Sequence, residues 1–282
     1  MHDRLSHLYG CTCTNCQTEK ETLNLTFSDQ LKPLLNAVEK AFKKLHKKKG
    51  YKPEDLEDTK EYKAIIDETY RVLASGIEDN DLSEGLKENL EKDVYRFSQL
   101  KTHAQLFEAA GLLTDDKKQI KSFAQFSKDI AAIKKDYNEN YLEAEYEFAI
   151  GSSLMAEQWE NYSDNDRYYL QYRTANDDRV RDSHRALHNI TLPKTDAFWD
   201  YYFAPNGWRC RCTVVQVLAS SNTKSDSKKA MIAGEKATTK LNKDGKNTLD
   251  IFRFNPGKKG VVFPPKHPYN KVAGANKLKR KK

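Results

Sequence analysis

Two clusters of thiols stand out. One is Cys11-Thr-Cys13-Thr-Asn-Cys16 and the other Cys210-Arg-Cys212, and together they hold all five cysteines of the chain. Thiolate and imidazole are the donors zinc prefers, and structural zinc sites are closed by four of them. Cys210 and Cys212 are too close in sequence to surround an ion alone. His184 lies 26 positions before Cys210, and His267 follows in Lys266-His267-Pro268-Tyr269. The metal reading therefore assigns His184, Cys210, Cys212 and His267 to zinc, with His188 one helical turn beyond His184. The competing reading buries the cysteines as small hydrophobes and uses His184 to brace a turn. Cys11, Cys13 and Cys16 lack a fourth ligand. His2 or His7 would complete the set, the arm would share a metal with Cys210 and Cys212, or the thiols bind no metal.

Catalysis would need a nucleophile and a base, or an acid and a base. Cys with His is present, and Ser183 precedes His184. No G-x-S-x-G, Walker-type G-x-x-x-x-G-K or G-x-G-x-x-G occurs. Arg173, Asp178, Arg181 and His184 could form a ribonuclease-like set, but the same residues also suit a hydrogen-bonded, turn-rich core. The expectation is a non-enzyme. Phe198, Trp199, Tyr201, Tyr202, Phe203 and Trp208 read as core and loop anchors rather than a base-stacking platform.

The elements that must position these residues follow from periodicity. Leu31, Leu34, Leu35, Val38, Phe42 and Leu45 recur at helical spacing, and so do Tyr62, Ile65, Ile66, Thr69, Tyr70 and Leu73. A third helix is expected over 83–111 and a fourth over 115–150, the latter with Ile120, Phe123, Phe126, Ile130, Ile133 and Tyr137 on one face. No proline interrupts the chain between Pro53 and Pro193. After Gly151 the texture changes. Residues 168–174 and 212–218 read as strands, 178–188 as a short helix, and 193–209 as a loop broken by Pro193, Pro205 and Gly207. The expected class is α+β, a helical N-terminal half followed by a small α+β domain. Its divisions are a Cys-containing arm over 1–27, a helical domain over 28–150, a core domain over 151–218, a flexible insertion over 219–248, the rest of the core over 249–270, and a basic tail over 271–282.

Composition excludes some classes. The 282 residues are 38% hydrophobic and 32% charged, and no run approaches the roughly 18 apolar residues of a membrane span. The start, Met1-His2-Asp3-Arg4, lacks the pattern of a signal peptide, so a protein folded in the cytoplasm is expected. The net charge of +7 is concentrated at one end. Without the six basic residues of 271–282, the remainder carries 42 basic and 41 acidic side chains. Such a tail, with Lys277, Lys279, Arg280, Lys281 and Lys282, suits nucleic acid or serves as a solubilising end.

The ordered series Tyr172-Arg-Thr, Asp177-x-x-Val180-Arg181-x-x-His184, Phe198-Trp199 and Asn206-Gly-Trp208-Arg-Cys210-Arg-Cys212 resembles the phage Mu protein F-like minor head proteins, also called phage head morphogenesis proteins. Tyr141–Tyr146 and Met155-Ala-x-x-Trp159 upstream, with Phe254–Gly257 and His267–Tyr269 downstream, extend the resemblance to about 140–269. The family residues carried over are Arg173, Asp178, Arg181, His184, Trp208, Cys210 and Cys212. Arg209 departs from the family, where Asn or Gly is frequent. The resemblance implies a minor head protein at the portal vertex of a phage or prophage, located in the virion head and in the host cytoplasm during assembly. It implies the portal and other head proteins as partners, phage DNA as a contact, and no membrane. Two other readings stand beside it: a prophage-encoded effector enzyme of nuclease-like toxin type, and a zinc-dependent nucleic-acid binder.

Overall fold

The computed structural model describes the backbone of residues 14–78 and 80–278, and side chains from residue 31 onward. Cys11, Cys13, Lys279, Arg280, Lys281 and Lys282 lie outside the described residues, as does the side chain of Cys16. The chain divides into two compact units, each discontinuous in sequence. The architecture is α+β, with a small three-stranded sheet beside many helices.

The helical unit takes Leu25–Glu78, Glu91–Tyr146 and the segment from Lys266 onward. Helix α1 (Thr14–Lys48) begins well before Ser28, so residues 14–27 are helical rather than an irregular arm. It is followed by α2 (Asp55–Asp58), α3 (Lys60–Ala74) and α4 (Glu84–Gly111). Leu34, Val38, Phe42 and Leu45 of α1, and Tyr62, Ile65, Ile66 and Leu73 of α3, are buried as their spacing requires. Each such side chain contributes about 1.5–3 kcal/mol.

The expected helix over 115–150 is broken into pieces. Asp115 Oδ1 accepts from the amides of Lys117 (2.9 Å) and Gln119 (2.8 Å), and Lys118 has φ 59°. This local side-chain-to-backbone bonding holds a turn where a helix would otherwise start. Helix α5 (Phe123–Asp129) then begins on Ser122, whose hydroxyl caps the Gln125 amide. After α6 (Ala131–Lys135) come a π-turn over Asp136–Asn140 and α7 (Tyr141–Asn161). The apolar stripe survives these breaks, with Phe126, Ile130 and Ile133 buried.

Inside this unit, α4 buries Lys101 at 1% exposure, with Nζ 2.7 Å from Glu145 Oε2. The rings of Tyr137, Tyr141 and Tyr269 surround the ammonium at 5.5–5.9 Å. Tyr269 also donates to Glu145 Oε1 (3.0 Å).

Of the described residues, the second unit holds 14–24, 80–90 and Glu147–Pro265. Its sheet runs β2-β1-β3, all antiparallel, with β1 (Tyr168–Arg173), β2 (Thr191–Leu192) and β3 (Thr213–Leu218). The register pairs Leu170 with Gln216, and Arg173 with Thr213. Two short helices lie between the strands: α8 (Asp182–Arg185), shorter than the span 178–188, and α9 (Phe198–Tyr202), inside the expected loop. The core gathers Leu154, Met155, Leu170, Tyr172, Leu192, Phe198, Trp199, Phe203 and Val214.

The polar stretch 219–248 also contains structure. Asp226 caps α10 (Ser227–Ala237), which buries Ala230, Gly234 and Ala237. A Cβ at Gly234 would overlap the Tyr202 ring, so glycine allows this approach. Small residues at helical spacing carry little hydropathy, which is why the helix is hard to see among the Ser, Lys and Asn around it. Helix α11 (Pro256–Lys259) closes the unit, capped by Asn255, whose Nδ2 donates to the Trp199 carbonyl (3.1 Å). Among the described residues no helix is long and apolar enough to cross a membrane.

Candidate metal centre

Helix α8 places His184 in the second unit. The residue is 2% exposed, its amide donates to the Arg181 carbonyl (2.8 Å), and its own carbonyl accepts from the Leu187 amide (3.0 Å). The thiols come from the segment that enters β3. A turn precedes them, with the Cys210 amide donating to the Gly207 carbonyl (3.2 Å) and Arg209 at φ 58°. That left-handed position explains why Asn or Gly suits residue 209. Beyond the turn the chain extends, and residues two apart point the same way.

Both sulfurs therefore reach the same imidazole nitrogen. His184 Nδ1 lies 3.6 Å from Cys210 Sγ and 3.7 Å from Cys212 Sγ. The three donor atoms all fall within 4.8 Å of one another. Nε2 of the same ring is buried with no hydrogen-bond partner among the described residues, leaving Nδ1 as the working atom. The thiol of Cys212, together with His184, holds Cys210 well below the usual thiol range, while Cys212 is pushed up by its hydrogen bond with Cys210 and by burial. Two sulfurs and one imidazole in a half-buried recess could hold a metal ion. They leave one position of a tetrahedron for a donor from elsewhere.

His267 is not brought into this group. It belongs to the helical unit, where its ring stacks edge-on against Tyr269 (4.2 Å) and Phe97 (5.1 Å) and its Nδ1 accepts from the Tyr269 amide (3.3 Å). Burial and the Lys101 charge push its pKa down to about 3. His188 is likewise engaged elsewhere, accepting at Nδ1 from the Thr174 amide (3.2 Å).

The remaining motif residues frame the thiol turn. Arg181 donates to the Trp208 carbonyl (2.6 Å), with Gly207 close against its guanidinium. Trp208 packs edge-on against Phe148 (4.9 Å) and Phe252 (5.1 Å). Arg173 ends β1 opposite Thr213. Asp178 is exposed, and its neighbour Asp177 makes the ion pair, with Arg211. Sequence reasoning passed over Arg211 because it reads as the spacer between two cysteines. It also passed over Tyr172 as a polar residue of the site. The buried Tyr172 hydroxyl donates to Asn206 Oδ1 (2.9 Å), and burial, with the two sulfurs beside it, holds the phenol well above its ordinary pKa. Of the tail residues assigned to nucleic acid, Lys277 is described; it is exposed, with Nζ 3.5 Å from Glu54.

The family described as Phage Mu protein F like protein matches residues 63–215, more than half of the chain. The chain is 46% identical over 52 residues to the putative capsid assembly protein F of Escherichia phage Mu, covering 18% of this chain and 12% of that protein. It is 33% identical over 100 residues to the Mu-like prophage FluMu F protein of Haemophilus influenzae, covering 34% and 24% respectively. The matches thus span a quarter or less of those relatives' length. No solved structure matches the chain.

Proposed function

This chain belongs to the phage Mu protein F like family, and from that premise we propose that it is a non-catalytic minor head protein of a phage or prophage, acting in head assembly at the portal vertex. The observation that carries the reading is the ordered motif from Tyr172 to Cys212, of which Tyr172, Arg181, His184, Trp208, Cys210 and Cys212 frame one recess. A relative 46% identical over 52 residues is named a putative capsid assembly protein F. Its partners on this reading are the portal and other head proteins, and its location is the virion head, with the host cytoplasm as the place of assembly. The basic residues Lys277, Lys279, Arg280, Lys281 and Lys282 contact packaged DNA through phosphates, without reading bases.

The metal in this reading is zinc, held by His184 Nδ1 and the sulfurs of Cys210 and Cys212. Its role is structural: it fastens α8 to the start of β3, which no strand pairing joins directly. The soft sulfur donors support zinc over oxygen-seeking ions.

The test is to follow the protein by mass spectrometry through proheads, filled heads and virions, with and without its gene. The expected result is its presence in proheads and a failure of head assembly when it is deleted. Absence from every assembly intermediate and from virions overturns the reading.

A further inference from the structure

Arginine is concentrated around the thiol turn. The chain holds 36 lysines and 12 arginines, yet the segment 173–211 has six arginines and one lysine, Lys194. Charge or solubility alone would be met by the lysine used in the rest of the chain. The choice points to the guanidinium itself, a planar fork that pairs with oxyanions. In the second unit these arginines converge. Asp177 takes the fork of Arg211 on its carboxylate (2.5 Å for each bond) and Arg185 Nη2 on its carbonyl (2.9 Å), with Arg179 Nε 4.0 Å from Oδ2. Arg181 Nη2 donates to the carbonyl of Trp208 (2.6 Å), the residue before Arg209. Over 173–185 and 206–212, six arginines stand against three acids, Asp177, Asp178 and Asp182, so positive charge is in excess.

The backbone at Arg209 is an independent observation. This exposed residue stands at φ 58°, in the left-handed region. The other left-handed non-glycine residues described in the second unit are Asn176 and Asn189, the residue type that tolerates such a backbone. An arginine there strains the chain without burying apolar surface. Strain of this kind, kept at an exposed turn, marks a side chain that is retained for what it binds.

The surroundings decide between kinds of anionic partner. None of the large apolar side chains exposed among the described residues falls within 173–189 or 206–212, and Trp208 packs on Phe148 and Phe252. A protein partner needs an apolar anchor at the centre of its footprint. A cationic surface without one suits a polyanion. We propose that this face of the second unit binds the phosphates of a nucleic-acid backbone through the exposed Arg179, Arg185 and Arg209, while Arg181 and Arg211 hold the frame. The contacts are to phosphate oxygens and read no sequence. The site is separate from the basic end of the chain, which belongs to the helical unit, and it stands independently of the role in head assembly.

The test is binding of a short fluorescent DNA duplex to the full chain, followed by anisotropy across a salt series. Every variant keeps the C-terminal basic residues, so a change in the slope of log affinity against log salt belongs to this surface. Arg209→Asn is expected to weaken binding several-fold and to make the slope shallower by about 0.9. Its Tm should be no lower, because asparagine suits the left-handed backbone. The double variant Arg179→Gln/Arg209→Asn is expected to lose about 1.8 from the slope. An unchanged slope in the double variant overturns the proposal. A fall in Tm for Arg209→Asn overturns it too, since the arginine would then be a structural brace. Displacement of the duplex by polyglutamate as readily as by unlabelled DNA of equal charge also overturns it, in favour of an acidic protein segment.

Discussion

Asp177 and Arg211 meet fork to fork across 34 positions of chain, Nη1 on Oδ2 and Nη2 on Oδ1, each at 2.5 Å. Arg211 is the residue between the two cysteines. In an extended segment, alternate side chains point to opposite sides, so a clamp on Arg211 turns Cys210 and Cys212 together toward His184. The Asp177 carbonyl also accepts from Arg185 Nη2 (2.9 Å), one residue beyond His184, so one residue ties both halves of the recess.

Replacing Asp177 with Asn should therefore cost more than an isolated surface pair. About 1 kcal/mol is expected from a well-aligned, partly exposed bidentate pair, measurable by urea unfolding at pH 7. The pH dependence has a definite sign. Arg211, with further help from the Arg179 amide, lowers the Asp177 pKa below its ordinary 3.8. The pair therefore stabilises fully above that value and loses its contribution as pH falls through the lower, folded-state pKa. The variant and the unmodified protein should differ at pH 6 and converge once the pH has fallen through the lowered pKa of Asp177. A difference that persists unchanged at low pH refutes the ionic account.

Metal content discriminates among the four histidine and cysteine positions singled out in the sequence. Cys210→Ser, Cys212→Ser and His184→Ala should each lose bound zinc on purification, and each should melt earlier, because metal binding is coupled to folding. His267→Ala should keep its zinc. It should still destabilise the chain, since a buried ring that touches Phe97 and Tyr269 is removed. Zinc retained in both cysteine variants would leave the thiols as core packing.

The buried charge pair of the helical unit makes a different kind of prediction. Lys101→Met alone leaves the Glu145 carboxylate buried without its cation, a loss of about 3–5 kcal/mol. The double variant Lys101→Met/Glu145→Leu removes both charges and should recover most of that stability, the coupling being read from a double-mutant cycle. The pKa directions agree with this: burial lowers Lys101 and raises Glu145 against their mutual attraction. Simple additivity of the two single variants would mean that the pair contributes little.

Much of this was legible in the residues themselves. Heptad-like stripes such as Leu34, Val38, Phe42 and Leu45 announce α1 and its buried face, because burial of one face is what drives such a helix. The aromatic and branched runs 168–173 and 213–218 announce β1 and β3. The spacing of His184, Cys210 and Cys212 anticipates the recess, but His267 shares only the donor type, and spacing carries no information about which compact unit a residue joins. The turn at Asp115 was hidden because Ile120 continues the stripe of Phe123 and Phe126 on paper, while an aspartate side chain bonding to amides ahead of it decides the backbone. Helix α10 was hidden because its buried residues are Ala and Gly. Its place is set by their smallness against Tyr202 rather than by their hydropathy.

The end of the chain gives the last prediction, and the structure fixes where a truncation must begin. Residues 271–278 are part of the helical unit: the Ala273 carbonyl accepts from His103 Nε2 (3.0 Å), and Arg96 donates to the carbonyls of Ala275 (3.1 Å) and Leu278 (3.5 Å). Ala275 and Leu278 are buried. Removing 271–282 would combine a loss of charge with a loss of core, and weakened DNA binding would have two causes. Removing only 279–282 withdraws Lys279, Arg280, Lys281 and Lys282 and leaves those contacts in place. If these four meet DNA phosphates, the slope of log affinity against log salt should become shallower by about 0.9 per lost contact, while Tm stays unchanged. An unchanged slope would move DNA contact away from the tail and onto the folded units.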